Sequence, residues 1–211
     1  MKEYKLPIGC DVPETIILAD GDFPSHPLAL EWLRQCPYVV CCDGAANTYI
    51  RSGRMPEAIV GDGDSLLPDI KERYASLIHS EAEQETNDLS KAFRFCLSQE
   101  RKRITIMGAT GKREDHTIGN VSLLADYMEQ AEVSMMTDYG IFVPIREDSM
   151  FESYIGQQIS VFNMNSTALS AEGLAYPLSG FSNWWQGTLN EALARHFIIR
   201  TEGKVLVFRV F

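Results

Sequence analysis

Two aspartates separated by one glycine stand out in the stretch Gly61-Asp62-Gly63-Asp64-Ser65. The apolar run Ala58-Ile59-Val60 comes directly before them, and an apolar run bounded by glycine is typical of a short buried strand. The acids therefore lie at the exit of a predicted strand, where open α/β sheets bind ligands. Neighbouring carboxylates repel each other unless a cation joins them, and their oxygens suit a hard ion such as Mg²⁺. The stretch predicts a magnesium site, against the simpler interpretation of a polar turn with two solvated acids.

Three further stretches of acids or glycines follow other predicted strands. Asp20-Gly21-Asp22 and Asp43-Gly44 each come after an apolar run, and Gly108-Ala109-Thr110-Gly111 comes between a strand and a helix. The N–H groups of such a glycine-rich turn and the positive end of the helix dipole can bind phosphate. Lys112 and Arg113 add positive charge, and an arginine can hold two phosphate oxygens at once. The order Gly-Lys-Ser/Thr of a Walker loop is absent, so the turn predicts a phosphate site of another kind.

The elements that must position these residues follow from hydrophobic spacing. In the first part of the chain, the predicted strands are 15–19, 38–42, 58–60, 77–78 and 103–107. The predicted helices are 28–34, 45–51, 66–74, 88–99 and 115–129. Thr86 or Asn87 is the expected N-cap of the fourth helix. Strands that alternate with helices predict a doubly wound, mostly parallel α/β sheet.

The C-terminal part of the chain consists of short segments joined by turns, without strong helical spacing. The predicted strands here are 133–136, 141–145, 149–154, 158–162, 168–174, 197–201 and 205–211. This pattern predicts a small antiparallel β-sandwich or barrel. We therefore predict an α/β domain over residues 1–142 and a β domain over residues 143–211. The second is small enough to benefit from pairing with another chain.

Composition and charge narrow the function classes. Hydrophobic residues make up 45% of the 211 residues and charged residues 23%, which is typical of a globular protein. The formal net charge of −10 argues against nucleic acid as a partner. No apolar run approaches the roughly 20 residues of a membrane span, and we expect neither a signal peptide nor a membrane partner. The five cysteines lack C-x-x-C spacing, and Cys41 and Cys42 lie in an apolar run, which predicts buried thiols in a cytoplasmic protein.

Four motifs, taken together, resemble those of the thiamine pyrophosphokinase family in order and approximate spacing. They are Asp43-Gly44-Ala45-Ala46-Asn47, Gly61-Asp62-Gly63-Asp64-Ser65, Asn87-Asp88-Leu89-Ser90-Lys91-Ala92, and the run from Gly108 to Asn120 with Gly111, Arg113, Asp115 and His116. The resemblance covers most of residues 16–125. It extends to Gly173-Leu174-Ala175-Tyr176-Pro177-Leu178, which looks like the thiamine-binding stretch of that family.

The resemblance implies an enzyme that transfers the β,γ-diphosphate of ATP to the hydroxyl of thiamine and releases AMP. Mg²⁺ would be the cofactor, held on the phosphates by Asp62, Asp64 and Asp88. Arg113 and Lys91 would stabilise the charge that develops during transfer. These five residues are the catalytic set that the resemblance implies.

The same resemblance assigns residues to each substrate. Those implied in nucleotide binding are Asp43, Gly44, Asn47, Ser65, Gly108, Gly111, Arg113, Asp115, His116 and Asn120. Tyr176 and Asn190 would bind thiamine, whose cationic ring suits an aromatic face. The family also implies a homodimer in which the two subunits share each site.

Three other functions stay open. A related enzyme could diphosphorylate another alcohol, such as a hydroxymethylpterin, although residues 173–178 favour thiamine. A non-catalytic nucleotide- or thiamine-binding regulator would be expected to lack one of the acids at positions 62, 64 and 88, and all three are present. A Mg²⁺-dependent phosphohydrolase would release phosphate without an acceptor alcohol. The chain departs from the family pattern at Gly63, Asn87, Lys112 and Leu189, and none of these departures removes an acid.

Overall fold

The computed structural model describes residues 1–7, 11–81, 83 and 85–211, and that part of the chain forms a mixed α/β fold. Its α-helices are α1 (Pro27–Gln35), α2 (Ala45–Arg51), α3 (Pro68–Arg73), α4 (Asp88–Ser98) and α5 (Glu114–Tyr127). Its strands are β1 (Lys2–Tyr4), β2 (Thr15–Leu18), β3 (Val39–Cys42), β4 (Ala58–Gly61), β5 (Ile78–Ser80), β6 (Arg103–Met107), β7 (Glu132–Met136), β8 (Gly140–Ile145), β9 (Ser149–Glu152), β10 (Gln158–Asn163), β11 (Leu169–Glu172), β12 (Asn190–Glu191), β13 (His196–Thr201) and β14 (Val205–Val210). Among the described residues, no helix has the length and apolar character that crossing a membrane requires.

The larger sheet has the strand order β12-β10-β14-β8-β7-β6-β2-β3-β4-β5. The strands from β7 to β5 run parallel, and β8, β14, β10 and β12 continue the sheet in antiparallel pairs. The chain moves outward from β2 to β5 and then returns to the other side of β2 with β6 and β7. This reversal creates a topological switch point between β2 and β6, where a doubly wound sheet binds its ligand.

Helices cover both faces of the parallel strands, so β2, β3 and β4 are buried at every residue. Phe93 of α4 and Leu124 of α5 belong to the core on one face, and Trp32 of α1 belongs to the core on the other. The predicted doubly wound sheet is therefore confirmed. Cys41 and Cys42 are buried on opposite faces of β3, as predicted, and Cys10 lies outside the described residues.

A second sheet, in the order β1-β9-β13-β11, packs against the antiparallel half of the first. Phe151 and Phe197 stack in the core between the sheets, with their ring centroids 5.0 Å apart. The predicted β-sandwich is thus confirmed. The predicted boundary after residue 142 falls inside β8, which belongs to the continuous large sheet, and the division into two domains stays a prediction.

Strand β1 is an element that the sequence pattern missed. Its three residues contain no apolar run, and it forms by pairing in parallel with β9, far along the chain. The ring of Tyr4 stacks on that of Phe151 at 4.8 Å. Tertiary contacts of this kind decide strand formation where local propensity is weak. The two-residue β12 and the 3-10 turn Trp184–Gly187 were missed for the same reason.

Candidate active site

A cleft of about 460 Å³ opens at the switch point, beyond the carboxyl ends of β2, β3 and β6. The loops after β2 and β6 meet here, because Gly21 N donates to Gly108 O at 2.6 Å. Ten predicted site residues line the cleft: Asp43, Gly44, Asp62, Ser65, Asp88, Lys91, Gly111, Arg113, His116 and Asn120. The fold therefore brings together acids that are far apart in the sequence.

Asp43 is the most deeply placed acid of the cleft, with only 3% of its surface exposed. Its Oδ2 accepts a hydrogen bond from Ser65 N at 3.0 Å, whereas its Oδ1 is buried without a partner. Burial raises the pKa of this carboxyl, and the charges of Asp88 and Asp62 raise it further, against the lowering effect of the Ser65 hydrogen bond. Each of these three carboxylates makes ionisation of the others less favourable. A cation bound among them would remove this repulsion.

We expect Asp43→Asn to stabilise the metal-free protein at about pH 7.5 by roughly 1 kcal/mol, which is about 2–4 °C in Tm for a chain of this size. Because the pKa of Asp43 is higher in the folded than in the unfolded chain, its stabilising contribution is present at low pH and is lost as pH rises through the folded pKa. The asparagine amide does not ionise, so the variant does not lose stability as the pH rises through this range. Thermal melts in EDTA should show most of the gain lost at about pH 4, where the carboxyl is largely protonated in the folded chain. A gain that is the same at both pH values would contradict the repulsion.

The turn between β4 and α3 holds the predicted Asp62–Asp64 pair. Asp62 lines the cleft, and its Oδ1 accepts a hydrogen bond from Asp64 N at 3.1 Å. Asp64 is exposed and lies outside the cleft wall. Asn47 also lies outside the wall and holds the turn instead: its Nδ2 donates to Ser65 O at 2.8 Å, and its Oδ1 accepts from Leu67 N at 3.0 Å. Asn47 thus positions the acid turn.

The N-terminus of α4 supplies the third acid. Asn87 is the N-cap, as predicted, because its Oδ1 accepts from Ser90 N at 2.9 Å. Asp88 is the first helical residue, and its Oδ1 lies 3.1 Å from the Nζ of Lys91. The Lys91 side chain is only 3% exposed, so this ammonium group lies at the base of the cleft rather than on a solvated helix face.

The glycine-rich turn after β6 closes the opposite side of the cleft. Gly108 and Gly111 have φ angles of 65° and 77°, which glycine adopts without strain. A Cβ at Gly111 would also overlap the carboxylate of Asp22. Asn120 Nδ2 donates to Ala109 O at 2.9 Å and so ties the turn to α5. Gly108 itself shapes the turn without lining the cleft.

Arg113 is the N-cap residue of α5 and lies at the rim of the cleft. Its guanidinium forms an ion pair with Asp115, with Nη2 and Oδ2 2.6 Å apart, and both side chains are more than 60% exposed. The hydrogen bond from Arg113 lowers the pKa of the Asp115 carboxyl. Asp115 lies outside the cleft wall, where it orients Arg113 and accepts from the backbone N–H of His116. The Arg113 side chain is therefore exposed and can turn toward an anion bound in the cleft.

Two residues that were not among the predicted site residues also face the cleft. Lys112 Nζ donates to the backbone oxygen of Asp20 at 2.8 Å and lies 3.1 Å from its Oδ1. The carboxylate of Asp20 lies against Gly44, where a Cβ would be 2.6 Å from Oδ2. The acid-glycine-acid pattern after β2 was the signal for Asp20. The sequence indicated Lys112 as positive charge beside the glycine-rich turn, but only the fold brings it to Asp20.

The two predicted thiamine residues lie away from this cleft, in the β-sandwich. Tyr176 is 64% exposed, whereas Asn190 is 4% exposed. The Asn190 side chain accepts from Tyr176 N at 3.0 Å and donates to Tyr176 O at 2.8 Å. Its Oδ1 also accepts from Glu191 N at 2.9 Å. Asn190 thus fixes the backbone of Tyr176. Of the two predicted thiamine residues, only Tyr176 has a side chain that is open to a ligand.

We expect Asn190→Ala to lower the free energy of unfolding by about 2 kcal/mol, because it removes three hydrogen bonds made by a buried side chain, two to the backbone of Tyr176 and one to that of Glu191. In a chain of this size that loss corresponds to a Tm decrease of roughly 4–8 °C. Asn183→Ala is the control, since Asn183 is an exposed residue that caps only the short Trp184–Gly187 turn. Equal Tm values for the Asn190 variant and the unaltered chain would contradict this assignment.

Among the described residues, no group of three or more His, Cys, Asp or Glu side chains forms a closed metal site. The donors nevertheless fit Mg²⁺, which usually takes one or two carboxylates and completes its shell with waters and phosphate oxygens. Asp43 Oδ1 is buried and unpartnered, and Asp62 and Asp88 are close enough to raise the pKa of Asp43. These carboxylates are hard oxygen donors that repel one another in the absence of a cation.

Comparison with protein families gives two matches that together cover most of the chain. The family model described as "Thiamin pyrophosphokinase, catalytic domain" matches residues 29–136. The model described as "Thiamin pyrophosphokinase, substrate-binding domain" matches residues 140–208.

Individual relatives carry the same name. The chain is similar to "Thiamine pyrophosphokinase 1" of Oryza sativa subsp. japonica, with 30% identity over 129 residues that make up 49% of each chain. It is similar to "Thiamine pyrophosphokinase" of Bacillus subtilis (strain 168), with 34% identity over 86 residues, 39% of this chain and 40% of the relative. The chain thus spans about half the length, or less, of these curated relatives.

Solved structures resemble the whole fold. The thiamin pyrophosphokinase from Candida albicans superposes with a TM-score of 0.78 at 17% identity, covering 100% of this chain and 92% of the other. The thiamine pyrophosphokinase from Bacillus subtilis superposes with a TM-score of 0.77 at 21% identity, covering 93% and 98%. At these identities the likeness is one of fold.

Proposed function

Since the chain belongs to the thiamin pyrophosphokinase family, we propose that it transfers the β,γ-diphosphate of ATP to the hydroxyl of thiamine, giving thiamine diphosphate and AMP. The observation that carries this proposal is the convergence of Asp43, Asp62 and Asp88 in one cleft. Lys91, Lys112 and Arg113 face the same space. Acids that hold a divalent ion, together with cations beside them, are the groups that phosphoryl transfer requires.

The proposed reaction exchanges one P–O bond for another. The hydroxyl oxygen of thiamine forms a bond to the β-phosphorus, while the bond from that phosphorus to the α,β-bridging oxygen breaks. AMP leaves with the bridging oxygen, and the hydroxyl proton passes to a carboxylate or to solvent. Catalysis then rests on alignment of the alcohol and on stabilisation of the developing charge.

Each residue of the cleft has a role in this proposal. Asp62 and Asp88, with Asp64 as a third predicted ligand, would hold Mg²⁺, whose chemistry is to neutralise the phosphate oxygens of ATP. Lys91 keeps the Asp88 carboxylate in place and brings positive charge to the base of the cleft. Arg113 leaves its exposed ion pair with Asp115 and binds a phosphate oxygen of ATP instead.

We extend the proposal to assembly and location. The exposed rings of Tyr176 and Trp185 and the exposed side chains of Leu189 and Leu193 support a homodimer in which the β-sandwich of one subunit meets the cleft of the other. Cys36, Cys41, Cys42 and Cys96 are free thiols, which supports a reducing compartment such as the cytoplasm.

The experiment that tests this function measures AMP release from Mg-ATP with no acceptor, with thiamine and with a hydroxymethylpterin. AMP and thiamine diphosphate formed in equal amounts, and only with thiamine, are the expected result. AMP formed with the pterin alone would keep the mechanism and change the substrate. Phosphate release without an acceptor would indicate a phosphohydrolase. ATP binding without AMP under any condition would indicate a non-catalytic nucleotide-binding protein.

A further inference from the structure

Lys112 lines the acid cleft with a backbone conformation that does not favour a side chain. Its φ angle is 55°, in the left-handed region that residues other than glycine adopt at a cost. Glycine would adopt the same angle without strain. Strained residues of this kind cluster at ligand-binding sites, where the side chain has a role that offsets the cost. The long cationic side chain of Lys112 therefore calls for a role in the cleft.

The Lys112 ammonium group is held by one residue of the loop after β2. Its Nζ donates to the backbone oxygen of Asp20 at 2.8 Å and lies 3.1 Å from the Oδ1 of the same residue. The side chain is 55% exposed, and an ammonium group has three N–H donors. Among the described residues Asp20 is its only hydrogen-bonding partner, so one donor stays available for a ligand.

The ion pair is not what joins the two loops on which it lies. Backbone hydrogen bonds do this, because Gly21 N donates to Gly108 O at 2.6 Å and Asp22 N donates to Thr110 O at 2.9 Å. The carboxylate of Asp20 is itself 46% exposed, and ion pairs between exposed side chains contribute little to stability. A purely structural role therefore does not account for the strained lysine.

Asp20 adds negative charge to a cleft that already has more acids than cations. Among the described residues, four carboxylates line it, those of Asp20, Asp43, Asp62 and Asp88. Three lysine or arginine side chains line it as well, those of Lys91, Lys112 and Arg113. A polyphosphate that enters this space is repelled by each carboxylate that no metal ion neutralises. Asp20 is also the carboxylate that competes with the phosphate for the Lys112 ammonium group.

We propose that Lys112 is a further nucleotide-binding residue, and that Asp20 is its counter-ion in the free chain and opposes nucleotide binding. When Mg-ATP binds, Lys112 donates to a phosphate oxygen beside the glycine-rich turn. The Asp20 carboxylate repels that phosphate and competes for the ammonium group. Lys112 thus raises the affinity for ATP and Asp20 lowers it, although the two residues form one pair. This inference rests on the proposed function, because it takes ATP as the ligand of the cleft.

The test measures the Kd of the full chain for Mg-ATP by isothermal titration calorimetry, without thiamine. Lys112→Gly removes the ammonium group and should weaken binding at least about 10-fold. Its Tm should equal or exceed that of the unaltered chain, because glycine relieves the strained φ angle. Asp20→Asn keeps the size of the side chain and an oxygen for Lys112 but removes the charge. It should tighten binding about 5-fold.

Two control variants remove the same charges outside the cleft. Lys102 and Asp69 are exposed and do not line it. We expect Lys102→Met and Asp69→Asn to keep the Kd for Mg-ATP within about 2-fold of the unaltered chain. A change in the overall charge of the protein would act equally in the controls, so they isolate the effect of the pair.

Three results would overturn the inference. Weaker binding in Asp20→Asn would show that Asp20 holds the metal ion or the loop instead of opposing the nucleotide. Unchanged affinity in Lys112→Gly would remove Lys112 from the site. A Tm decrease in Lys112→Gly that accompanies its loss of affinity would indicate a structural role.

The outcome is distinguishable from failure of the proposed function. Opposite shifts of the Kd in the two variants, in a chain that releases no AMP with thiamine, would support this inference and reject the transferase. AMP release with thiamine, together with unchanged Kd values in both variants, would reject this inference alone. No binding of Mg-ATP to the unaltered chain would reject both.

Discussion

Asp88→Asn is expected to lower kcat for thiamine diphosphate formation by at least about 1000-fold, which corresponds to roughly 4 kcal/mol of transition-state stabilisation. The carboxylate lines the cleft and approaches Lys91 Nζ at 3.1 Å. Asparagine keeps the size of the side chain and an oxygen for Lys91, but it removes the charge that would hold the metal. The loss should therefore appear in turnover with little change in fold, measured by steady-state kinetics alongside circular dichroism.

Asp69→Asn is the matched control for this substitution. Asp69 is an exposed acid in the first turn of α3, so its replacement removes the same charge and the same favourable interaction with a helix dipole. It does not line the cleft. We expect Asp69→Asn to retain nearly full activity. A turnover for Asp88→Asn within about 10-fold of the control would exclude Asp88 from the chemistry.

Asp64 makes this test more specific. It stays a predicted metal ligand, although it is exposed and lies outside the wall of the cleft in this structure. Comparing Asp64→Asn with Asp62→Asn shows whether the outer acid of the pair takes part. A loss of activity in both variants would support Asp64 as a metal ligand, and a loss in Asp62→Asn alone would remove Asp64 from the predicted set.

Tyr176→Ala is expected to raise the KM for thiamine by about 30–100-fold while leaving the KM for ATP within about 2-fold. Tyr176 is 64% exposed, and Asn190 holds its backbone through two hydrogen bonds, so the ring is presented to solvent from a fixed backbone position. An exposed aromatic ring held in this way suits a flat, cationic substrate. Varying each substrate at saturation of the other separates the two KM values.

Tyr139→Ala provides the control, because Tyr139 is 78% exposed in the turn between β7 and β8. Tyr176→Phe should retain most of the thiamine affinity, since the interaction requires the ring rather than the hydroxyl. Equal increases in the two KM values on Tyr176→Ala would place Tyr176 outside the thiamine pocket.

Local sequence patterns predicted most of the α/β half. Strands β2, β3 and β4 are buried on both faces, so they appear in the sequence as continuous apolar runs. An acid or a glycine directly after such a run must lie at the carboxyl edge of the sheet. That is why the Asp43, Asp62 and Gly108 stretches could be assigned to one region before their distances were known.

The roles of individual polar residues were less predictable. Asn47 and Asn190 were predicted to contact substrates, but the structure uses both side chains to hold backbone groups. An asparagine that binds a ligand and one that holds a turn look alike in sequence, because the same amide serves both. Only the position of the neighbouring backbone distinguishes them.

The sequence by itself determined the doubly wound sheet, the antiparallel strands that follow it and the strand ends that carry the acids, because these depend on hydrophobic period and local turn chemistry. Only the tertiary structure decided that Asp43 would be buried in the same cleft as Asp62 and Asp88, and that Lys112 would reach Asp20. Each of these contacts joins residues from different strands or loops. Their geometry depends on sheet order and register, which no local pattern contains.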